Sequence, residues 1–315
     1  MWWYKDMAAR FPEWIRRNWA SGKDFADTHA VVDSLKLRTV CQSARCPNLG
    51  ECWARRTATF MVLGNVCTRR CAFCAVSGGI PESVDPTEPG RVAQAIQQLG
   101  LRYAVVTSVT RDDLSGKSLS GFDDGGAAHF ARTVEAIRAA SPGTVIEVLV
   151  PDFGGKPEAI GRVLESAPDV FGHNIETVER LYPALRDPRY RYRRSLEVLA
   201  MAAELAPEMA VKSALMVGHG ETAEEVRATL RDLRDAGCDV VSLGQYLRPS
   251  RAQVDVKEFV PPERFRAYEA LAYQLGFSAA MAGPFVRSSY RSEELWAAFG
   301  ARKRPYAAAG LRGRA

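Results

Sequence analysis

The sequence predicts an α/β protein whose parallel strands form a partial, TIM-like (β/α)6 barrel that is open on one side. From residue 57 onward, short apolar runs typical of strands alternate with amphipathic runs typical of helices. The apolar runs are continuous, as in parallel strands that are buried on both faces. A complete barrel of this kind has eight such units, and only six are visible here. The predicted strands are 58–63, 103–107, 144–150, 169–174, 211–217 and 239–243.

The predicted helices follow the strands in turn, and punctuating residues mark several of their ends. Pro89 begins the first helix and Gly100 follows its last residue, an arrangement that suits helix starts and stops. Pro151 ends the third strand, and Gly218 ends the fifth. The predicted helices are 89–99, 127–140, 157–165, 194–205, 223–236 and 262–275.

The bulk composition is that of an ordinary globular protein. The chain has 315 residues, 47% hydrophobic and 25% charged, with a net charge of +5. No apolar run reaches the roughly 18–20 residues that a membrane span needs. The N-terminus lacks the basic and apolar regions of a signal peptide. Lysine and arginine are spread along the chain, which does not favour nucleic-acid binding. We therefore expect a cytoplasmic protein with no membrane or nucleic-acid partner.

Three cysteines lie close together directly after the first predicted strand. Cys67, Cys71 and Cys74 have the spacing C-x3-C-x2-C and are here called the first trio. In a chain without a secretion signal, such a cluster indicates metal or redox chemistry rather than disulfides. Iron–sulfur clusters take four ligands, so three local cysteines leave one iron without a local ligand. An open catalytic zinc site would leave one position free in the same way.

A second group of three cysteines precedes the barrel. Cys41, Cys46 and Cys52 form this second trio, in a compact segment that contains the turn formers Pro47 and Asn48. A zinc knuckle or a two-metal zinc site are alternatives, although closed zinc sites normally need four ligands. Two trios favour two iron–sulfur clusters. The seventh cysteine, Cys238, starts an apolar strand and is interpreted as a buried core residue.

Polar residues follow most of the predicted strands. In parallel α/β barrels the carboxyl ends of the strands carry the active site. The first trio lies at that end, so we expect these polar segments to converge on it. The segments are 107–113, 151–155, 173–177, 218–222 and 245–250.

The first trio, with Phe73 between its last two cysteines, resembles the motif of the radical S-adenosylmethionine enzymes. The chain as a whole resembles the lipoyl synthase family from about Phe11 to Tyr290. Two departures from the usual family pattern are His219, where an apolar residue is common, and Ser292, where alanine is common. The motifs that carry this resemblance are CQSARCPNLGECW at 41–53, CTRRC at 67–71, RDDL at 111–114, VPDF at 150–153, HNIET at 173–177, GET at 220–222, QYLRPS at 245–250 and RSSY at 287–290.

The resemblance implies two [4Fe–4S] clusters and S-adenosylmethionine as cofactors. The first trio would hold the cluster that cleaves S-adenosylmethionine to a 5′-deoxyadenosyl radical. The second trio would hold an auxiliary cluster, with Ser289 of the terminal motif as its fourth ligand. That cluster would be the source of sulfur. The serine oxygen suits iron less well than sulfur does, so its release is chemically reasonable.

The implied reaction inserts sulfur at carbons six and eight of an octanoyl chain on a carrier-protein lysine. The carrier would be the E2 component of a 2-oxoacid dehydrogenase or the glycine cleavage H protein, and the electron donor a reduced ferredoxin or flavodoxin. We expect a monomer. The chain would divide into an N-terminal extension at 1–56, the radical barrel at 57–283 and a C-terminal extension at 284–315. The extensions would carry the auxiliary cluster.

Seven residues are predicted to bind S-adenosylmethionine, chosen from the segments after the strands and from the motif itself. Arg69 and Arg70 flank the first trio and would raise the potential of a nearby cluster if their charges face it. The alternatives are that they are solvated, or that they face the carrier or the electron donor. The seven are Phe73, Thr107, Ser108, Arg111, Asn174, Glu176 and Lys212.

Two other functions are alternatives to this interpretation. One is another radical enzyme with an auxiliary cluster, such as a methylthiotransferase, although the RSSY motif and the Cys46-Pro47-Asn48 segment argue against it. The other is a non-enzymatic iron–sulfur protein, which would not need polar residues after five strands.

Overall fold

A computed structural model describes residues 11–16, 22–114 and 124–303. Within these ranges, seven strands form one sheet in which every neighbouring pair is parallel. The strands are adjacent in the order in which they occur in the chain. They are β1 (Thr59–Val62), β2 (Tyr103–Ser108), β3 (Val145–Leu149), β4 (Val170–Gly172), β5 (Ala210–Val217), β6 (Val240–Gln245) and β7 (Ala279–Gly283).

The predicted open parallel α/β barrel is confirmed, with one strand more than the sequence indicated. Among the described residues β1 and β7 do not pair, so the sheet stays open between them. The additional strand has the sequence Ala-Ala-Met-Ala-Gly. It lacks the β-branched and aromatic residues that usually mark strands, so pairing with β6 rather than local preference places it in the sheet.

The six predicted helices are present, two of them with the predicted bounds. Helices at both ends of the barrel were not predicted, because they lie outside the strand–helix alternation. Three short or moderate helices precede the barrel and one follows it. In chain order the helices are α1 (Lys23–Ser34), α2 (Val40–Ser43), α3 (Leu49–Ala54), α4 (Glu88–Leu99), α5 (Ala127–Ala140), α6 (Pro157–Glu165), α7 (Tyr182–Leu185), α8 (Tyr192–Leu205), α9 (Ala223–Asp235), α10 (Pro262–Gln274) and α11 (Ser292–Lys303).

Local chemistry accounts for several helix ends. Helix α4 ends at Gly100, whose φ of 64° is left-handed and suits glycine. Helix α9 starts with a capping box, in which Thr222 and Glu225 each bind the other's backbone N–H. The described helices include none that is both long and apolar enough to cross a membrane.

The amino ends of the strands are closed by the last helix. Leu295 and Phe299 of α11 pack against Tyr103 of β2 and Ala210 of β5. This apolar plug blocks one end of the barrel, so a cavity can open only at the other end or at the open side.

The segment between β7 and α11 passes through the barrel. Near the carboxyl ends of the strands, a Cβ built on Gly244 would lie 2.0 Å from the Val286 carbonyl oxygen, so only glycine permits this approach. Further along, the Ser289 hydroxyl meets Thr59 at the amino end of β1. Ser292 then meets Lys212, near the amino end of β5. The chain therefore crosses the barrel from the carboxyl ends of the strands to their amino ends.

Candidate active site

One cavity of about 750 Å³ lies inside the barrel and extends from the carboxyl ends of the strands to Thr59, the first residue of β1. Its volume is in the range of small-molecule and cofactor sites. Both trios and Ser289 line it. Three of the five predicted polar segments reach it, through Thr107, Ser108 and Thr110 at β2, Asn174 and Glu176 after β4, and Tyr246 after β6. The segments 151–155 and 218–222 do not line it, so the predicted convergence is only partly correct.

The first trio lies on a loop that other barrel loops hold in place. The backbone N–H of Thr68 donates to the Thr110 carbonyl at 3.0 Å, and the N–H of Ala72 donates to the Leu185 carbonyl at 2.8 Å. The Ala72 carbonyl accepts from Val254 at 3.2 Å. Segments that follow β2, β4 and β6 therefore fix the loop between Cys67 and Cys74.

Two thiols of the first trio, those of Cys71 and Cys74, are enclosed enough to favour their neutral form. Burial raises the pKa of Cys74 to about 12. Burial also raises the pKa of Cys71, and the positive charge of Arg186 offsets part of that rise. Metal and cluster ligands are thiolates, so binding a cluster here displaces protons.

The two arginines of the first trio, Arg69 and Arg70, differ in their surroundings. Arg69 is buried and pairs with Asp112 at 2.7 Å and Asp152 at 2.8 Å. Its charge is therefore already balanced. Arg70 is exposed, and its backbone N–H binds the Asp187 carboxylate. The predicted effect of these two charges on a cluster is not supported for Arg69.

Arg186, which the sequence analysis missed, is the cation that faces the first trio. It lines the cavity, and its guanidinium carbon lies 3.6 Å from the centre of the Tyr190 ring. That carbon is also 5.9 Å from the centre of the Phe73 ring. Its Nε is buried without a hydrogen-bond partner among the described residues. Arg186 follows Tyr-Pro-Ala-Leu in the chain, and no spacing pattern marks it.

The second trio lies on two short helices and the turn between them. Cys41 is in α2, which Thr39 caps by accepting a hydrogen bond from the Gln42 N–H. The N–H of Cys46 donates to the Cys41 carbonyl at 2.9 Å. The N–H of Cys52 donates to the Asn48 carbonyl at 2.9 Å. Burial and the neighbouring Cys46 raise the pKa of Cys41 to about 11.

The segment that follows β7 is hydrogen-bonded to the loop that carries the second trio. The Asn48 side chain donates to the Phe285 carbonyl at 2.7 Å, and the Tyr290 hydroxyl donates to Glu51 at 3.0 Å. Asn48 and Glu51 both lie between Cys46 and Cys52 in the sequence. These two bonds flank Ser289, so the segment that carries this serine is tied to the loop that carries the cysteines.

The structure brings five of the seven predicted S-adenosylmethionine contacts to the cavity. Glu176 has a left-handed φ of 67°, a costly conformation for a residue other than glycine. Burial raises the pKa of Glu176, although Arg186 and Asn174 oppose this. The five are Phe73, Thr107, Ser108, Asn174 and Glu176.

Arg111 and Lys212 do not line the cavity, so the structure does not support them as contacts. Arg111 is buried and donates to the carbonyls of Leu63 and Glu82 and to the Asp113 carboxylate. Lys212 points to the closed end of the barrel, where it pairs with Glu147 at 2.7 Å. A lysine side chain on a barrel strand can point toward either end of the barrel, and the sequence pattern does not predict which end.

Several polar atoms at the cavity wall lack a protein partner. The hydroxyl oxygens of Ser108 and Ser242 are buried without a hydrogen bond in the part of the chain that the structure describes. Buried polar groups normally have partners, so such atoms indicate a ligand or water. Together with the free thiols, they fit a cavity that holds a polar cofactor.

Among the described residues, the cysteines are not arranged to hold a single zinc ion. Within the described ranges, no three His, Cys, Asp or Glu side chains converge on a single-ion site. Tetrahedral zinc would require sulfurs about 3.8 Å apart, given zinc–sulfur bonds of about 2.3 Å. Cysteines that ligate different irons of one cluster stand farther apart.

Several known proteins have sequences similar to this chain. The model of the radical SAM superfamily matches residues 61–244. The chain is 52% identical to a lipoyl synthase of Caldanaerobacter subterraneus over 91% of this chain and 97% of that protein. It is 50% identical to a lipoyl synthase of Thermus thermophilus, over 90% of this chain and 86% of the other.

The chain belongs to the lipoyl synthase family. Such similarity over nearly the full length of both chains extends well beyond the first trio. The chain is therefore a radical enzyme of the sulfurtransferase class.

Solved structures support the fold alone. The crystal structure of HydG, a maturase of the [FeFe]-hydrogenase, has a TM-score of 0.54 at 11% identity and covers 82% of this chain and 63% of its own. Streptococcus suis SuiB bound to S-adenosylmethionine has a TM-score of 0.53 at 12% identity, covering 76% of this chain and 54% of its own.

Proposed function

We propose that this chain converts an octanoyl group on a carrier-protein lysine into a lipoyl group by inserting sulfur at carbons six and eight. The observation that carries this proposal is that both trios and Ser289 line a single cavity. A radical source and a sulfur source must reach the same carbon atoms, and one shared cavity permits that. When bound, the first cluster with S-adenosylmethionine supplies a 5′-deoxyadenosyl radical, and the second cluster supplies sulfur.

The first trio and its surroundings would bind the radical source. Cys67, Cys71 and Cys74 would ligate three irons, and the fourth would stay open for S-adenosylmethionine. Phe73 offers an aromatic face, while Asn174 and Glu176 offer amide and carboxylate groups to polar parts of this ligand. Arg186 supplies positive charge close to Cys71.

The second trio would hold the sulfur source together with Ser289. Support comes from the bonds that join Asn48 to Phe285 and Tyr290 to Glu51, because these bring the serine segment to the cysteine loop. Ser289 supplies an oxygen where a fourth cysteine would supply sulfur, and iron binds oxygen less tightly than sulfur.

An alkyl chain suits the rest of the cavity wall. Met61, Leu149, Leu215 and Val286 all line it. These apolar side chains would orient an octanoyl chain by packing along it and would exclude water from a reactive radical.

The macromolecular partners follow from the reaction. The substrate would be an octanoylated lipoyl domain, either of a 2-oxoacid dehydrogenase E2 component or of the glycine cleavage H protein. A reduced ferredoxin or flavodoxin would deliver electrons. Arg45 and Arg70 are exposed at the cavity mouth and would favour acidic partners. We propose a monomer that works in the cytoplasm.

Anaerobic reconstitution followed by mass spectrometry tests the proposed function. The purified chain should hold about eight irons, since each [4Fe–4S] cluster has four. An octanoylated carrier peptide incubated with S-adenosylmethionine and a reductant should gain two sulfur atoms. A methylthiotransferase would instead add a methylthio group, and a non-enzymatic cluster protein would leave the peptide unchanged. Either result with about eight irons present would refute the proposal.

A further inference from the structure

Thr59 is the residue that holds the Ser289 side chain in place. The two hydroxyl oxygens are 2.8 Å apart, with Thr59 as the donor. Among the described residues, this is the hydrogen bond that fixes the Ser289 hydroxyl. The bonds at Phe285 and Tyr290 position the backbone on either side of Ser289 but do not contact its side chain.

Thr59 also lies against the second trio. It is only 4% exposed and lines the same cavity as Cys41, Cys46 and Cys52. Thr39, two residues before Cys41, forms a bridge with Phe60, the residue after Thr59. Thr59 therefore lies beside both ends of the predicted ligand set, Cys41 and Ser289, which are 248 positions apart in the chain.

The strand keeps Thr59 in this position. It is the first residue of β1 and pairs in register with Val105 of β2. The side chains of Thr59 and Met61 face the cavity, since alternate residues of a strand share one face. The Arg38 carbonyl accepts from the Met61 N–H at 2.8 Å and joins the segment before Cys41 to the same strand.

We propose that Thr59 is a positioning residue that orients the Ser289 oxygen toward the second cluster. The inference rests on the proposed function, because it takes Ser289 to be a ligand. Groups that hydrogen-bond to a metal ligand fix its orientation, and their loss typically weakens metal binding about 10- to 100-fold. Ser289 needs such help, since its half-buried side chain can otherwise rotate freely.

The test compares Thr59→Val with Thr59→Ser in the full-length protein that carries both clusters. Valine keeps the shape of threonine and its preference for strands but lacks the hydroxyl, whereas serine keeps the hydroxyl. Iron release to a chelator is followed with time under anaerobic conditions. We expect about four irons of Thr59→Val to leave about 10- to 100-fold faster than in the unchanged protein. Thr59→Ser should stay within about threefold.

Two further measurements separate positioning from a general structural effect. Reductive cleavage of S-adenosylmethionine without carrier should be the same in Thr59→Val as in the unchanged protein, because it depends on the first trio. In a Ser289→Ala background, Thr59→Val should cause no additional acceleration, since the residue that it positions is already gone.

The outcomes distinguish this inference from the proposed function. Unchanged iron release in Thr59→Val, with faster release in Ser289→Ala, would overturn the role of Thr59 alone. Only about four irons in the unchanged protein would overturn the second cluster itself. Should Thr59→Val fail to fold, Thr59→Ala removes the same hydroxyl. Faster iron release in that variant would support the role of Thr59, and unchanged release would overturn it.

Discussion

The two cysteine trios line one cavity, but different parts of the chain hold them. Loops of the barrel hold the first trio through backbone bonds at Thr68 and Ala72. The second trio lies before the barrel and is closed by the segment that follows β7, through Asn48 and Tyr290. The superfamily match at 61–244 includes the first trio and excludes both the second trio and Ser289. This difference fits our proposal that the shared barrel generates the radical and the two chain ends supply the sulfur.

The largest effect is expected from removing one cysteine of either trio. Cys71→Ala should abolish cleavage of S-adenosylmethionine, while Cys46→Ala should leave cleavage intact and abolish sulfur insertion. Each variant should hold about four irons rather than about eight, because each loses one cluster. Iron analysis and chromatography of 5′-deoxyadenosine give the two readouts. Loss of cleavage in Cys46→Ala would contradict the division of roles between the trios.

At the closed end of the barrel, Lys212→Met should lower the free energy of unfolding strongly without changing ligand binding in the cavity. Lys212→Met leaves Glu147 buried without its cation, and breaking such a pair typically costs about 3–5 kcal/mol. The free energy of unfolding, measured by urea denaturation, should fall by that amount. Binding of S-adenosylmethionine to the folded protein should change by less than about twofold.

The double variant Lys212→Met/Glu147→Gln provides the control. It removes both charges, so part of the lost stability should return. A large loss of S-adenosylmethionine affinity in either variant would restore Lys212 as a contact and contradict its placement outside the cavity.

The smallest effect is expected from Tyr290→Phe, which removes the hydroxyl that donates to Glu51. A single hydrogen bond contributes about 0.5–1.5 kcal/mol. Iron should therefore leave the second cluster roughly 2- to 10-fold faster, with no change in S-adenosylmethionine cleavage. Tyr192→Phe is a matched control, since it loses a hydroxyl bond to Asp232 outside the cavity. Equal iron release in the two variants would show that Tyr290 does not support the second trio.

The sequence predicted the barrel well because its strands are apolar runs flanked by helix signals. It missed β7, since Ala279–Gly283 carries no β-branched residue and depends on pairing with β6. It also missed α11, whose burial of Leu295 and Phe299 against the strand ends is a tertiary effect.

The cysteine trios could be found from spacing, but their surroundings could not. Ser289 came from resemblance to a family, and no local pattern links it to Thr59, 230 positions earlier. Arg186 carries no motif, and only the fold shows that it faces Cys71 while Arg69 is already paired. The division of the chain at residues 56 and 283 remains a prediction.

Isotopic labelling of the cluster sulfides, with iron loss from the second cluster followed in parallel, tests the central claim most directly. The unchanged protein is reconstituted with ³⁴S-sulfide, freed of excess sulfide, and mixed with octanoylated carrier peptide, S-adenosylmethionine and a reductant that contains no sulfur. We predict a product with two ³⁴S atoms, no more than one lipoyl group per chain, and loss of iron from the second cluster alone. Product that contains only unlabelled sulfur, or repeated turnover with both clusters intact, would contradict the account.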